Sequence, residues 1–117
     1  MTARGTNPAR FYPIRLTQQR SAEGDMWTAA HPVLLGCQVV RSDSQSAIDD
    51  LAMAREEWIE RARMQGRRIP EGSEDMRYEL ILAPDATSEE AQAASKAISS
   101  AAAEIPSIHL REVISWQ

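Results

Sequence analysis

The run from Ser44 to Gln65 constrains this chain more than any other. Ala47, Ile48, Leu51, Ala54, Trp58 and Ala62 recur at spacings of three and four, with Ile59 beside them. That period describes one apolar stripe on a helix of about twenty residues. Asp43 or Ser44 supplies the N-cap, Gly66 the C-terminal stop, and Pro70 forbids continuation. Arg63, Arg67 and Arg68 suit the negative end of the helix dipole. The opposite face carries Asp49, Asp50, Glu56, Glu57, Glu60, Arg61 and Arg63, and Glu57 and Arg61 are spaced for an i,i+4 ion pair. Most helical stability comes from packing the apolar face, so the rest of the chain must provide a layer for this helix to cover.

The flanking segments supply strands. Residues 11–18 alternate, with Tyr12, Ile14 and Leu16 on one face and Pro13, Arg15 and Thr17 on the other. Pro13 confines its amide side to an edge or to the strand's start. Residues 19–25, QRSAEGD, read as a polar hairpin turn longer than the tightest kind, leading into a short strand over 26–30. His31-Pro32 breaks that strand, and Gly36 sits where a backbone turn or close approach is needed before a third strand over 38–41. Beyond a polar linker at 71–75, residues 77–83 form a fourth strand with Tyr78, Leu80 and Leu82 on one face. Thr87 and Glu90 form a capping box for an alanine-rich helix ending near Glu104, which packs close to the sheet through Ala91, Ala94, Ile98, Ala101 and Ala102. Residues 108–116 make a fifth strand. The predicted order is β-β-β-α-β-α-β, an α+β fold with a single mixed sheet and its helices on one face.

A chain of 117 residues suits one domain, here 11–117, preceded by a polar arm over 1–10 that reads as flexible. The net charge of −4 is unevenly spread: residues 1–70 hold ten arginines and eight acidic residues, residues 71–117 three basic and nine acidic. The acidic second half opposes direct DNA binding and suits a basic protein partner, and it also serves solubility. A single cysteine, Cys37, forbids an internal disulfide and agrees with a reducing cytoplasm. No secretory h-region, lipidation motif or membrane-length apolar run is present, so a cytoplasmic location is expected.

Catalytic signatures are absent. The two histidines, His31 and His109, lie far apart without a second ligand at metal spacing, and read as turn or surface residues. Cys37 reads as a small buried hydrophobe, with no cationic partner to activate it. No phosphate-binding glycine loop or nucleophile elbow occurs, so neither cofactor nor metal is expected. The element order resembles that of the ribonuclease H fold, whose two-metal chemistry needs carboxylates on the first strand, first helix and fourth strand. Here the helix offers Glu56, Glu57 and Glu60, and the fourth strand Glu79 with Asp85 at its end, but the first strand has none. The chain is not expected to be an enzyme.

Four motifs then stand in order: Tyr12-Pro13, Leu34-Leu35-Gly36-Cys37, the helix with Ala47-Ile48-Asp49-Asp50-Leu51 and Trp58-Ile59-Glu60, and the exit Gly66-Arg67-Arg68-Ile69-Pro70-Glu71. Over residues 11–71 the chain resembles the HicB antitoxins of bacterial toxin–antitoxin pairs. The resemblance implies a degraded ribonuclease H-like fold and a non-catalytic protein that masks a small basic ribonuclease toxin of the HicA type. Departures are Leu35 where the family has proline, Gly72 at the second exit proline, Gln45-Ser46 in place of an acidic pair, and an acidic strand-helix-strand over 72–117 where a DNA-binding module is usual. On the antitoxin reading, Asp50, Glu57, Glu60 and Glu71 are the expected partner-binding residues. The alternative is a non-enzymatic oligomerisation or assembly module on the same fold, self-associating through an exposed strand edge and the Trp116 end.

Overall fold

Five strands and two helices follow one another in a computed structural model that describes residues 12–72, 76–102 and 110–116. They are β1 (Ile14–Ser21), β2 (Gly24–Ala30), β3 (Gln38–Arg41), α1 (Ser44–Met64), β4 (Met76–Leu82), α2 (Ser88–Ala102) and β5 (Leu110–Trp116). The sheet order is β3-β2-β1-β4-β5. β2 is antiparallel to both β1 and β3, whereas β1, β4 and β5 run parallel. The fold is α+β with one mixed sheet, and the element order is the expected one.

Alternation decides which face is covered. Ile14 and Leu16 on β1, Trp27 and Ala29 on β2, and Tyr78, Leu80 and Leu82 on β4 are buried together. Against them pack Ala47, Ile48, Leu51, Trp58 and Ala62 of α1 and Ala94, Ala97 and Ile98 of α2. The helices also touch each other, so both lie on this one face. Trp27 and Trp58 are core residues, each supplying a large apolar area.

The helix ends follow their sequence signals. Asp43 is the N-cap of α1, its Oδ2 accepting the Ser46 amide at 2.9 Å. At the other end the Arg67 amide donates to the Ala62 carbonyl at 2.8 Å and the Gly66 amide to the Arg63 carbonyl at 3.1 Å. This is a Schellman motif, and Gly66 takes the left-handed φ of +68° that it requires. Ahead of α2 the capping box is reciprocal: Thr87 Oγ1 accepts the Glu90 amide at 3.1 Å, and Glu90 Oε1 accepts the Thr87 amide at 2.9 Å.

The first hairpin differs from expectation. β1 starts at Ile14, and the polar residues of QRSAEGD belong mainly to the strands. The pairs Gln19↔Met26, Arg20↔Asp25 and Ser21↔Gly24 continue the ladder, leaving only Ala22 and Glu23 in the turn. Backbone pairing needs no apolar side chain where the strands project past the core. The Arg20–Asp25 ion pair and the Ser21 Oγ bond to the Gly24 carbonyl at 2.7 Å tie the tip together. The expected arm over 1–10, part of the 71–75 linker, the end of the second helix near Glu104 and the start of the last strand with His109 lie outside the described residues.

Candidate recognition surface

Strand direction gathers the start of β1, the end of β2, the start of β3 and the start of β4 at one end of the sheet. The motifs that carry the resemblance meet there. Tyr12 Oη donates to the Pro70 carbonyl at 2.8 Å, joining the first motif to the helix exit across 58 residues. Trp58 Nε1 donates to the Leu35 carbonyl at 2.9 Å, joining the helix to the Gly-Cys turn. The Arg67 guanidinium lies 5.5 Å over the Trp58 ring. Gly36 adopts φ +86°, and three backbone bonds close the turn: His31 N to Cys37 O, Leu34 N to His31 O and Cys37 N to Leu34 O. Leu34 is fully buried beneath this turn, while the adjacent Leu35 side chain is 81% exposed.

His31 belongs to the same cluster and corrects the surface reading. It stands at a turn, but its side chain is 1% exposed. Nδ1 lies 3.1 Å from the Pro13 carbonyl, and the ring meets Tyr12 edge-on at a centroid distance of 6.0 Å. Nε2 has no hydrogen-bond partner among the described residues. Burial pushes the imidazole down to about 4, against the Pro13 and Tyr12 carbonyls, which favour the charged form, and together with the nearby Arg55 cation. His31 is therefore neutral at neutral pH. Burial likewise raises the Cys37 thiol, with Arg55 opposing, so this buried cysteine is the inert residue its setting suggested.

The outward face of α1 holds three of the four expected partner residues. Glu57 and Glu60 are exposed neighbours three residues apart, and Asp50 lies seven residues before Glu57 on the same side, about 10 Å along the axis. Asp50 is half-buried and held by Arg41 at 2.7 Å. Glu60 pairs with Arg63 at 2.9 Å, and Glu56 with Arg55 at 3.6 Å. Glu57 makes no ion pair among the described residues, so the expected bond to Arg61 is not formed. Glu71 is exposed beyond the Ile69-Pro70 exit, off the helix. Two residues passed over in the sequence complete this face: Met53 and Met64, 65% and 79% exposed, flank Glu57 and Glu60 along the helix. Their spacing of eleven residues marks a shared helical side, a signal readable before any fold was known.

Another charged cluster lies at the opposite end of the sheet. Arg20 binds Asp25, Asp85 at 3.0 Å and Glu90 at 2.8 Å. These partners raise the guanidinium pKa further, while Arg20 and then the Thr87 amide hold Glu90 down to about 2. Beside Arg20 an open depression of about 350 Å³ is lined by Gln18, Gln19, Ala83 and Pro84. Buried Gln18 accepts the Ala83 amide at 3.0 Å, tying β1 to the segment after β4. Sequence could not find this cluster, because Arg20 and Asp85 are 65 residues apart.

The carboxylates weighed for two-metal chemistry are thus dispersed. Glu79 pairs with Arg15 at 2.9 Å, Asp85 with Arg20, and Glu56, Glu57 and Glu60 line the outer side of α1. Among the described residues no group of three or more His, Cys, Asp or Glu is placed to hold a metal, and no helix is long and apolar enough to cross a membrane. No known family model, curated protein or solved structure matches the chain.

Proposed function

We propose that this chain is a non-catalytic, HicB-like antitoxin that acts in the bacterial cytoplasm by binding and masking a small basic ribonuclease toxin of the HicA type. The supporting observation is the convergence of its four motifs: Tyr12 bonds the Ile69-Pro70 exit, and Trp58 bonds the Leu34–Cys37 turn. Segments far apart in sequence thereby form one packed unit that sets the position of α1. On that helix Glu57 and Glu60 present carboxylates to a cationic surface, and Met53 and Met64 offer adaptable apolar contact at either end. Asp50 and Glu71 extend the acidic rim. A toxin surface that attracts RNA through its positive charge is attracted to this face for the same reason, and its occupation excludes RNA. Exposed ion pairs contribute only about 0.2–1 kcal/mol each, so tight binding requires the methionine contacts as well.

The test is inhibition. Stoichiometric addition of the purified chain abolishes RNA cleavage by the small basic protein encoded beside it, on this reading. Undiminished cleavage together with no detectable complex overturns it. The second reading, an assembly module, is favoured by the open face of the sheet and by β3 and β5, which end the strand order with no further strand paired to them among the described residues. A ring or filament in solution, with no toxin neighbour, would select it.

A further inference from the structure

With both helices on one side, the other face of the sheet is bare among the described residues. The ladder registers define its surface. Val40, Thr28, Thr17 and Ile81 form one row across β3, β2, β1 and β4, every member β-branched and none charged. Gln38, Ala30, Arg15 and Glu79 form the next, in which the two charges neutralise each other at 2.9 Å. Met26 and Gln19 make a third. On β5 the register continues these rows with Ser115 beside Ile81 and Val113 beside Glu79, and beyond the internal pair the charged positions of this face among the described residues are Arg77 and its partner Arg111, at the end where β4 and β5 start. The outer side of α1, by contrast, carries charges on nearly every turn.

Three physical arguments indicate a cover. Antiparallel pairs such as β1–β2 and β2–β3 commonly keep one wet face, but the β1-β4-β5 part of this mixed sheet is parallel, the arrangement most often buried on both faces. Depletion of charge around an apolar centre is the compositional mark of an interface core. The size also fits. Five strands about 4.8 Å apart, four to eight residues long, project roughly 500 Å², and accessible area exceeds projected area. The face thus approaches the ~800 Å² per partner that an ordinary stable dimer buries.

We propose that a second copy of this chain covers the open face, sheet on sheet, about a two-fold axis. The packing is isologous, so the same rows meet themselves: Thr28, Thr17 and Ile81 of one copy lie against those of its mate. The two-fold also lets Arg15 of one copy face Glu79 of the other, which compensates the desolvation of both pairs. α1 and the end bearing Leu35 remain on the outside of the dimer, so this inference is independent of the toxin-masking reading.

Light scattering coupled to gel filtration, with sedimentation velocity from 1 to 200 μM, tests it on the full chain. The wild type is expected at twice its 13.0 kDa chain mass. Thr28→Lys and Ile81→Lys are expected at the monomer mass, with cooperative thermal melts showing that they fold. Met26→Lys, at a rim residue already a third exposed, weakens the dimer at least tenfold without touching the core. A wild-type monomer at 200 μM overturns the proposal. A dimer indifferent to all three lysines also overturns it, and places self-association at a strand edge. The Met26 variant keeps the test decisive if either of the other two fails to fold.

Discussion

Acidification should loosen this protein well above the range in which carboxylates titrate, and one residue should be responsible. His31 is buried, held by the Pro13 carbonyl and packed against Tyr12, with its pKa near 4 against 6.5 for the unfolded chain. The folded state thus binds fewer protons than the unfolded state between those values, and stability rises with pH across the window. The contribution is fully present above pH 6.5 and is lost as pH falls toward 4. Integrating the two titrations gives a loss of about 2 kcal/mol between pH 7 and pH 5 and about 3 kcal/mol by pH 4. For a domain of this size that is a large share of total stability. Urea denaturation at half-unit pH steps measures it, and ring-carbon NMR titration reads the pKa directly. His31→Gln should be less stable at pH 7 but nearly flat between pH 7 and 5. A wild type whose stability does not change over that interval, or a variant as steep as the wild type, refutes the reasoning.

Three further outcomes follow from named contacts. Tyr12→Phe removes the hydroxyl that bonds the Pro70 carbonyl and should cost about 1 kcal/mol in urea denaturation, with exchange of the Ile69 and Glu71 amides accelerated. Gly66→Ala forces a side chain into left-handed φ and should cost about 1 kcal/mol, visible as a melting point lowered by roughly 4 °C. Arg20→Ala releases Glu90, whose pKa should climb from about 2 toward 4.5 in a carboxyl NMR titration. The depressed Glu90 contributes stability that is present above pH 4.5 and lost as pH falls through 2, so the variant should show a weaker acid transition there.

Much of the architecture was legible because periodicity and caps are local. The α1 stripe, Asp43, Gly66 and the Thr87–Glu90 box each signal through near neighbours, and each stands where the pattern placed it. The hairpin was misjudged because strand ends beyond a core lose the apolar alternation that marks them, although their backbones still pair. His31 was misjudged because its burial depends on Tyr12 and Pro13, which reach it through the β1–β2 ladder. Of the expected partner residues, Asp50, Glu57 and Glu60 share a helix and so a side, as their spacing required. Their ion pairs were less legible: Arg41, the partner of Asp50, comes from another element, and Glu60 pairs with Arg63 at i,i+3 while the Glu57–Arg61 spacing yields no pair, as is common for exposed charges of marginal worth.

The central claim is recognition of a basic partner through the outer face of α1. Its most direct measurement is a calorimetric titration of the chain with the small basic protein encoded beside it, repeated with Glu57→Lys/Glu60→Lys. The account predicts a tight, stoichiometric complex that the double reversal weakens at least a hundredfold while the variant's melting curve stays unchanged. No heat of binding with the wild type, or a complex indifferent to the reversal, would contradict it.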